Sequence, residues 1–269
     1  MSKLSVAMDA SAAYVKIFDD YISYLRKGGL EIEVVHLAPN DTALRYFLEG
    51  KVDMFWGGPL NFAIINHHFK GQQLNPLAED TDIDCHSVFL VKADSSIESI
   101  QDLKDTVIST GPYFSAESRI IPIQYLKESG LECGRDYKEA NFESQNAGIE
   151  AMMQGEVDVA ITFYRNFLRQ LATGVYMDWE LKVIGKTPYW DHCIFAGLPG
   201  LDQRKKEDYQ RFIELMLAMD AKDPMVAESM RLEGVNRWVL GRPDRYQLLL
   251  DGCDTLNIYE EYPVLKNLQ

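Results

Sequence analysis

This 269-residue chain contains no apolar run near the ~20 residues that a transmembrane helix needs. It opens Met1-Ser2-Lys3 and alternates at once through Leu4, Val6 and Met8, without the basic stretch and apolar core of a secretory leader. As the sequence stands, that opening favours a cytosolic protein; a trimmed leader would place it in the periplasm or outside the cell. Positive charge is scarce. Lys and Arg number 27 against 41 Asp and Glu, a formal net charge of −14. Nucleic-acid binding relies on basic side chains neutralising phosphates, and an anionic membrane surface repels the same acidic protein, so neither is an expected partner. Cysteine is sparse as well. Cys85, Cys133, Cys193 and Cys253 form no CxxC pair and read as reduced, mostly buried thiols. No metal-ligand spacing, phosphate loop or nucleophile elbow occurs, and no cofactor is expected. What is present, 46% hydrophobic and 25% charged residues, is a globular profile long enough for two domains of ~100–150 residues.

Strand-like and helix-like stretches alternate, which predicts an α/β fold. Val15, Phe18, Ile22 and Leu25 lie three and four apart and predict a helix over 12–27, stopped by Gly28-Gly29. Strands are expected near 3–8, 32–37, 52–56, 88–91, 106–109, 157–161 and 193–196. Helices are expected from Asn40-Asp41-Thr42 through Leu48, from Pro59 onward, from Ser115 to Gly130, over 146–154 and 163–172, and near 244–253. Asp223-Pro224 reads as an N-cap followed by a first-turn proline.

One segment occurs twice. Leu48-Glu49-Gly50-Lys51-Val52-Asp53-Met54 is echoed by Met153-Gln154-Gly155-Glu156-Val157-Asp158-Val159, and each copy is followed by a helix carrying Asn-Phe, Asn61-Phe62 or Asn166-Phe167. Gly-x-Val-Asp suits any helix-to-strand turn; two copies in the same surroundings predict two related α/β lobes.

Four segments, taken in order, resemble a known family. They are FLEGKVDMFWGGPLNFAI, SVFLVKADSSIESIQDLKDTVIS, a Ser-bearing helix start with Ile121-Pro122, and GIEAMMQGEVDVAI. Over roughly 1–250 the chain resembles the phosphate/phosphonate type of ABC-transporter substrate-binding protein. The resemblance implies the type 2 periplasmic-binding-protein fold: two α/β lobes, a hinge with two crossovers near Val91-Lys92 and Thr187-Tyr189, and a ligand cleft between the lobes. Lobe one would be 1–91 plus 189–269, and lobe two 92–188. The implied function is non-catalytic capture of a small anion, phosphonate- or phosphate-like or a carboxylate, by hinge closure, with an ABC permease as partner. The resemblance also singles out Ser115-Ala116-Glu117-Ser118-Arg119, a helix start whose hydroxyls and backbone N–H groups would hold the anion. Here Ala116 replaces a hydroxyl and Glu117 brings a carboxylate. Gln145 stands where the family carries a phosphonate-contacting His. Arg165 stands where aminoalkyl-binding members carry an acid, and it suits a second carboxylate or phosphate.

Read from the residues alone, Trp56-Gly57-Gly58-Pro59 is the leading candidate site, because glycines at a strand end permit close backbone approach and an aromatic there makes a pocket wall. Tyr14, after the first strand, is a weaker candidate of the same kind. His86 and His192 sit at the two expected crossovers, Tyr113 and Phe114 precede the Ser115 helix, and Tyr164 opens the helix after the second repeat strand. The alternative function is a cytosolic enzyme on the same fold, decarboxylase-like, acting on a small aromatic carboxylic acid or a vitamin precursor. His86 or His192 would be its acid/base and Arg165 its carboxylate anchor. The charge of −14 opposes an anion at long range, so recognition must come from helix N-termini and local cations such as Arg119 or Arg165.

Overall fold

The computed structural model describes residues 3–9, 12–38 and 40–268, without the side chains of residues 9, 12–14 and 40. The candidate Tyr14 side chain thus lies outside the described residues. The chain begins β1 (Leu4–Asp9), α1 (Ala12–Lys27), β2 (Ile32–Leu37), α2 (Asn40–Leu48), β3 (Met54–Gly57), α3 (Pro59–Phe69) and β4 (Leu77–Glu79). It continues β5 (Ser87–Lys92), β6 (Val107–Thr110), α4 (Ile121–Glu128), β7 (Lys138–Asn141), α5 (Gln145–Gln154), β8 (Val159–Phe163), α6 (Tyr164–Ala172) and β9 (Leu181–Lys186). Then follow β10 (Ile194–Gly197), α7 (Leu201–Arg204), α8 (Lys206–Ala218), α9 (Ala227–Glu233), β11 (Trp238–Leu240) and α10 (Gln247–Thr255).

These elements form two units, each around its own sheet. The first comprises Met1–Ile83, Asp191–Asp244 and Tyr259–Gln269, and the second Asp84–Trp190 and Arg245–Ile258. The first sheet runs β11-β4-β10-β3-β1-β2, the second β7-β6-β8-β5-β9. In the first, β1 pairs in parallel with β2 and β3, while β10 is antiparallel to β3 and β4. In the second, β6 pairs in parallel with β7 and β8, and β5 is antiparallel to β8 and β9. Both are α/β units of the kind the alternating pattern predicts.

Two placements differ from the expected division. β5 hydrogen-bonds to β8 and β9, so the second unit starts ahead of it, at Asp84 rather than near Val91-Lys92. And α10, expected with everything after 189 in the first lobe, packs on α4 in the second unit. There Thr255 Oγ1 donates to Gln124 Oε1 at 2.8 Å, and Gly252 lies so close that a Cβ on it would meet the Ile120 carbonyl oxygen at 2.9 Å. Nothing in periodicity marks a helix for one sheet rather than the other.

Burial explains the elements. β5 is a continuous apolar run because Val88 and Leu90 enter one core and Phe89 and Val91 the other. In α1 the buried stripe is Ile17, Phe18, Tyr21 and Leu25, rotated slightly from the predicted one. The strands missed by sequence reading, β4, β7, β9 and β11, are three-residue strands or lie at sheet edges, where alternation is short or half exposed. Asp223-Pro224 does not open a helix. The Asp223 side chain accepts from Met225 N at 2.9 Å and its carbonyl from Val226 and Ala227, a turn that delays α9 to Ala227.

The repeated segment has a structural role in both copies. Gly50 and Gly155 take left-handed conformations, φ 70° and 79°, that end a helix. The aspartate that follows then ties its strand to the parallel neighbour: Asp53 Oδ2 accepts from Ser5 N and Ser5 Oγ, both at 2.8 Å, at the start of β1. Asp158 Oδ2 accepts from Val107 N at 2.8 Å at the start of β6. In each copy Val-Asp sets the register of one central parallel pair.

Candidate functional site

Parallel β6 and β8 end at the same edge of the second sheet, and a cavity of about 560 Å³ opens there, within the second unit. Ligands of such sheets sit at the carboxyl ends of strands. The loop after β6 contributes Pro112, Phe114, Ser115 and Glu117; the start of α5 contributes Glu143, Ser144, Gln145 and Asn146; the end of β8 and α6 contribute Phe163, Asn166 and Arg169.

Two helix starts face this space. The expected continuous helix from Ser115 is instead a five-residue π-helical turn, Ala116–Ile120, running into α4. Ser115 caps it: Ser115 Oγ accepts from Ser118 N at 3.2 Å and Ser118 Oγ at 2.8 Å, and donates to Glu117 Oε2 at 2.8 Å. The turn is seated by Ser87 Oγ, which donates to the Glu117 carbonyl. Gly111 is required beside it, since a Cβ there would fall 2.2 Å from Ser118 Oγ. At the second start, Ser144 Oγ accepts from Ala147 N at 3.1 Å and caps α5. Helix starts leave free N–H donors and a positive potential, which favours an anion.

Charge in the wall is mixed. Glu117 and Glu143 are acidic. Arg169 is the cation of the lining, exposed and in no ion pair among the described residues. Arg119 is not available: it is buried, its Nε donates to Glu139 Oε1 at 2.7 Å and its Nη1 to the Tyr113 carbonyl at 3.0 Å, and its guanidinium stacks 4.0 Å from the Tyr113 ring centre. This clamp fixes the loop that carries Phe114 and Ser115. Gln145 is an anchor too. Its Oε1 accepts from Thr162 Oγ1 and Phe163 N, both at 2.8 Å, joining α5 to the end of β8. Asn166 Nδ2 donates to Asn146 Oδ1 at 2.8 Å and Thr162 Oγ1 at 3.0 Å, completing a polar floor.

Of the candidates read from sequence, Phe114, Ser115, Glu117 and Gln145 meet in this wall, with Ser118 fully buried behind Ser115 and Tyr113 under Arg119. His86, Tyr164 and Arg165 form a neighbouring cluster outside the lining. His86 stacks on Tyr164 at 4.5 Å and meets Tyr189 edge-on at 5.3 Å. Burial, with Lys186 beside it, lowers its pKa. Arg165 donates to Cys85 Sγ at 3.4 Å and lies over the Phe163 ring at 5.6 Å. The remaining candidates belong to the first unit. Trp56 is core, 7% exposed between Phe18 and Phe195. Gly57 is needed for contact within the protein, because a Cβ would fall 2.3 Å from the Phe55 ring. Gly58 N donates to Asn61 Oδ1 at 3.2 Å, and Pro59 is the buried first residue of α3. His192 is half-buried beside Asp82 and Cys193.

Sequence reading missed Pro112, Glu143, Ser144, Asn146, Phe163, Asn166 and Arg169 as lining residues. Some signal was present: Ser144 directly precedes a helix as an N-cap residue does, and Asn166 and Arg169 are three apart, on one face of α6.

A family model described as ABC transporter, phosphonate, periplasmic substrate-binding protein matches residues 6–244. Among solved structures, PhnD1 of Prochlorococcus marinus, in complex with methylphosphonate, is 19% identical with a TM-score of 0.69, covering 94% of this chain and 98% of that one. A Xanthomonas citri protein bound to ATP is 17% identical, TM-score 0.74, covering 96% and 99%. The aliphatic sulphonate binding protein SsuA of Escherichia coli is 14% identical, TM-score 0.56, covering 98% and 94%. At these identities the structures establish the fold. A comparison with curated protein sequences gives no match.

Proposed function

Since this chain belongs to the ABC-transporter family of phosphonate periplasmic substrate-binding proteins, we propose that the second-unit cavity is where it takes its small anion. Proteins of this family bind small anions such as phosphonate and deliver them to ABC permeases. The observation that carries the reading is the pair of serine-capped helix starts opening on one cavity beside Arg169. Their free backbone N–H groups and the Ser115 and Ser144 hydroxyls supply donors. Arg169 supplies a fork of N–H groups for two oxygens of a phosphonate, sulfonate or carboxylate head. Phe114 and Phe163 supply apolar wall for a short organic tail. Gln145 and Arg119 position this wall.

The competing enzymatic reading is not favoured. The matching family is one of substrate-binding proteins, and none of His86, His192 and Arg165, the acid/base and anchor residues of that reading, lines the cavity. The family's proteins are periplasmic, and no helix of the described residues is long and apolar enough to cross a membrane. Periplasmic placement and an ABC permease partner complete the proposal.

Calorimetric titration with methylphosphonate, inorganic phosphate, methanesulfonate and benzoate tests it. One of these anions should bind at a single site, and Ser115→Ala and Arg169→Ala should each weaken it about tenfold or more, the worth of a hydrogen bond to a charged group. Binding of none of them, or affinity unchanged in both variants, overturns the proposal.

A further inference from the structure

In the first unit, Asp82, His192 and Cys193 bring a carboxylate oxygen, an imidazole nitrogen and a thiol sulfur to within 4.8 Å of one another. His192 Nδ1 lies 3.0 Å from Cys193 Sγ and 3.5 Å from Asp82 Oδ2. Bonds of ~2.0–2.3 Å to a tetrahedral zinc ion put ligand atoms roughly 3.3–3.6 Å apart, close to the two distances from His192 Nδ1. The backbone already holds the trio in place. His192 N donates to the Asp82 carbonyl at 2.7 Å, Cys193 N to Asp82 Oδ2 at 3.0 Å, and Asp82 N to the Glu79 carbonyl at 3.0 Å. A backbone N–H on a carboxylate oxygen is the kind of support that orients a metal-ligating acid and leaves a lone pair for the ion.

The surroundings favour a cation. The carboxylates of Glu79 and Asp82 both act on Cys193, and that of Asp82 acts on Glu233 as well. Asp82 is almost wholly buried, whereas His192 and Cys193 are half-buried, which leaves one side of the trio accessible for an ion and a fourth, water ligand. One nitrogen, one oxygen and one sulfur donor make a borderline-soft set, suited to zinc rather than to calcium or magnesium.

We propose that Asp82, His192 and Cys193 form a three-ligand site for a divalent metal of the zinc class, separate from the anion cavity. On binding, a metal–sulfur bond replaces the Cys193 S–H bond and the proton passes to solvent.

The test is titration of the reduced, chelator-treated full-length protein with cobalt(II), followed by displacement with zinc. The expected result is one equivalent bound, with a near-ultraviolet thiolate-to-cobalt band that zinc abolishes. Cys193→Ser should lose that band, His192→Gln should bind at least about tenfold more weakly, and Cys133→Ser, at an exposed thiol, should keep the band in full. X-ray absorption on the unsubstituted protein, with one sulfur among nitrogen and oxygen ligands expected, keeps the test decisive if a variant fails to fold. Absence of stoichiometric binding, a band that persists in Cys193→Ser, or a sulfur-free coordination shell would each overturn the site.

Discussion

Ser115 Oγ is both a donor to Glu117 and an acceptor from Ser118, so an arriving anion must draw the Ser115 proton away from a carboxylate. In the proposed site Glu117 therefore opposes the anion twice, by its charge and by holding the donor. Glu117→Gln should tighten binding by about 1 kcal/mol, roughly fivefold, the scale of one like charge at several ångströms in a half-exposed setting. Weaker binding in the calorimeter would instead mean that Glu117 faces a cationic part of the ligand. A second residue-scale prediction concerns Glu233. Burial, and then the Asp82 charge, push its pKa from 4.5 up to about 7. Its folded pKa is raised above the unfolded value, so its stabilising contribution is full below about pH 4.5 and is lost as pH rises through about 7. Glu233→Gln should then raise the melting temperature at pH 8, roughly 2–4 °C for each kcal/mol recovered, and have little effect at pH 4.5. An equal effect at both pH values would refute the assignment. Residue types at the helix start were legible in the sequence; the partners of each hydroxyl were not, because they come from chain positions far apart, as with Ser87 and Glu117.

Among the elements, the repeated Gly-x-Val-Asp turn offers an internal comparison. Asp53 is half-buried and serves Ser5 N, Ser5 Oγ and Lys205 Nζ, the last at 2.7 Å. Asp158 is exposed and serves Val107 N. Removing a carboxylate that satisfies several part-buried donors leaves them unpaired, whereas one exposed bond is easily replaced by water. Asp53→Ala should cost about 2–3 kcal/mol and Asp158→Ala about 1 kcal/mol or less in urea unfolding. Equal costs would contradict a role that scales with the number and burial of donors. The repeat was visible in the sequence because turn chemistry is local. The neighbouring parallel strand that each aspartate secures was not, since Ser5 and Asp53 are 48 positions apart. Likewise the Arg119–Glu139 pair turned an apparent site cation into a clamp for the Tyr113 loop, a distinction that the spacing of charges cannot make.

For the whole molecule, the net charge of −14 sets the approach of any anion. Raising ionic strength from 0.01 to 0.15 M shortens the screening length from ~30 to ~8 Å. Association of methylphosphonate should therefore speed up several-fold over that range in stopped-flow, since long-range repulsion is screened while the local donors are less affected. A falling rate would mean that the positive potential of the helix starts and Arg169 outweighs the net charge along the approach path. Local pattern along the chain specifies the α/β alternation, most strands and helices, the repeated turn, and the Ser115 helix start. Each of these is written in periodicity, capping residues and glycine placement, which act over a few residues. Tertiary structure decided the rest. It put β5 and α10 in the second unit, sent Trp56 to the core, spent Arg119 on Glu139, and set Ser144, Asn166 and Arg169 around one cavity. It also brought Asp82 to the adjacent His192 and Cys193, more than a hundred positions further along the chain. Packing between distant segments chooses among faces that local pattern leaves equivalent, and so the identity of an exposed or a paired side chain is a property of the folded chain.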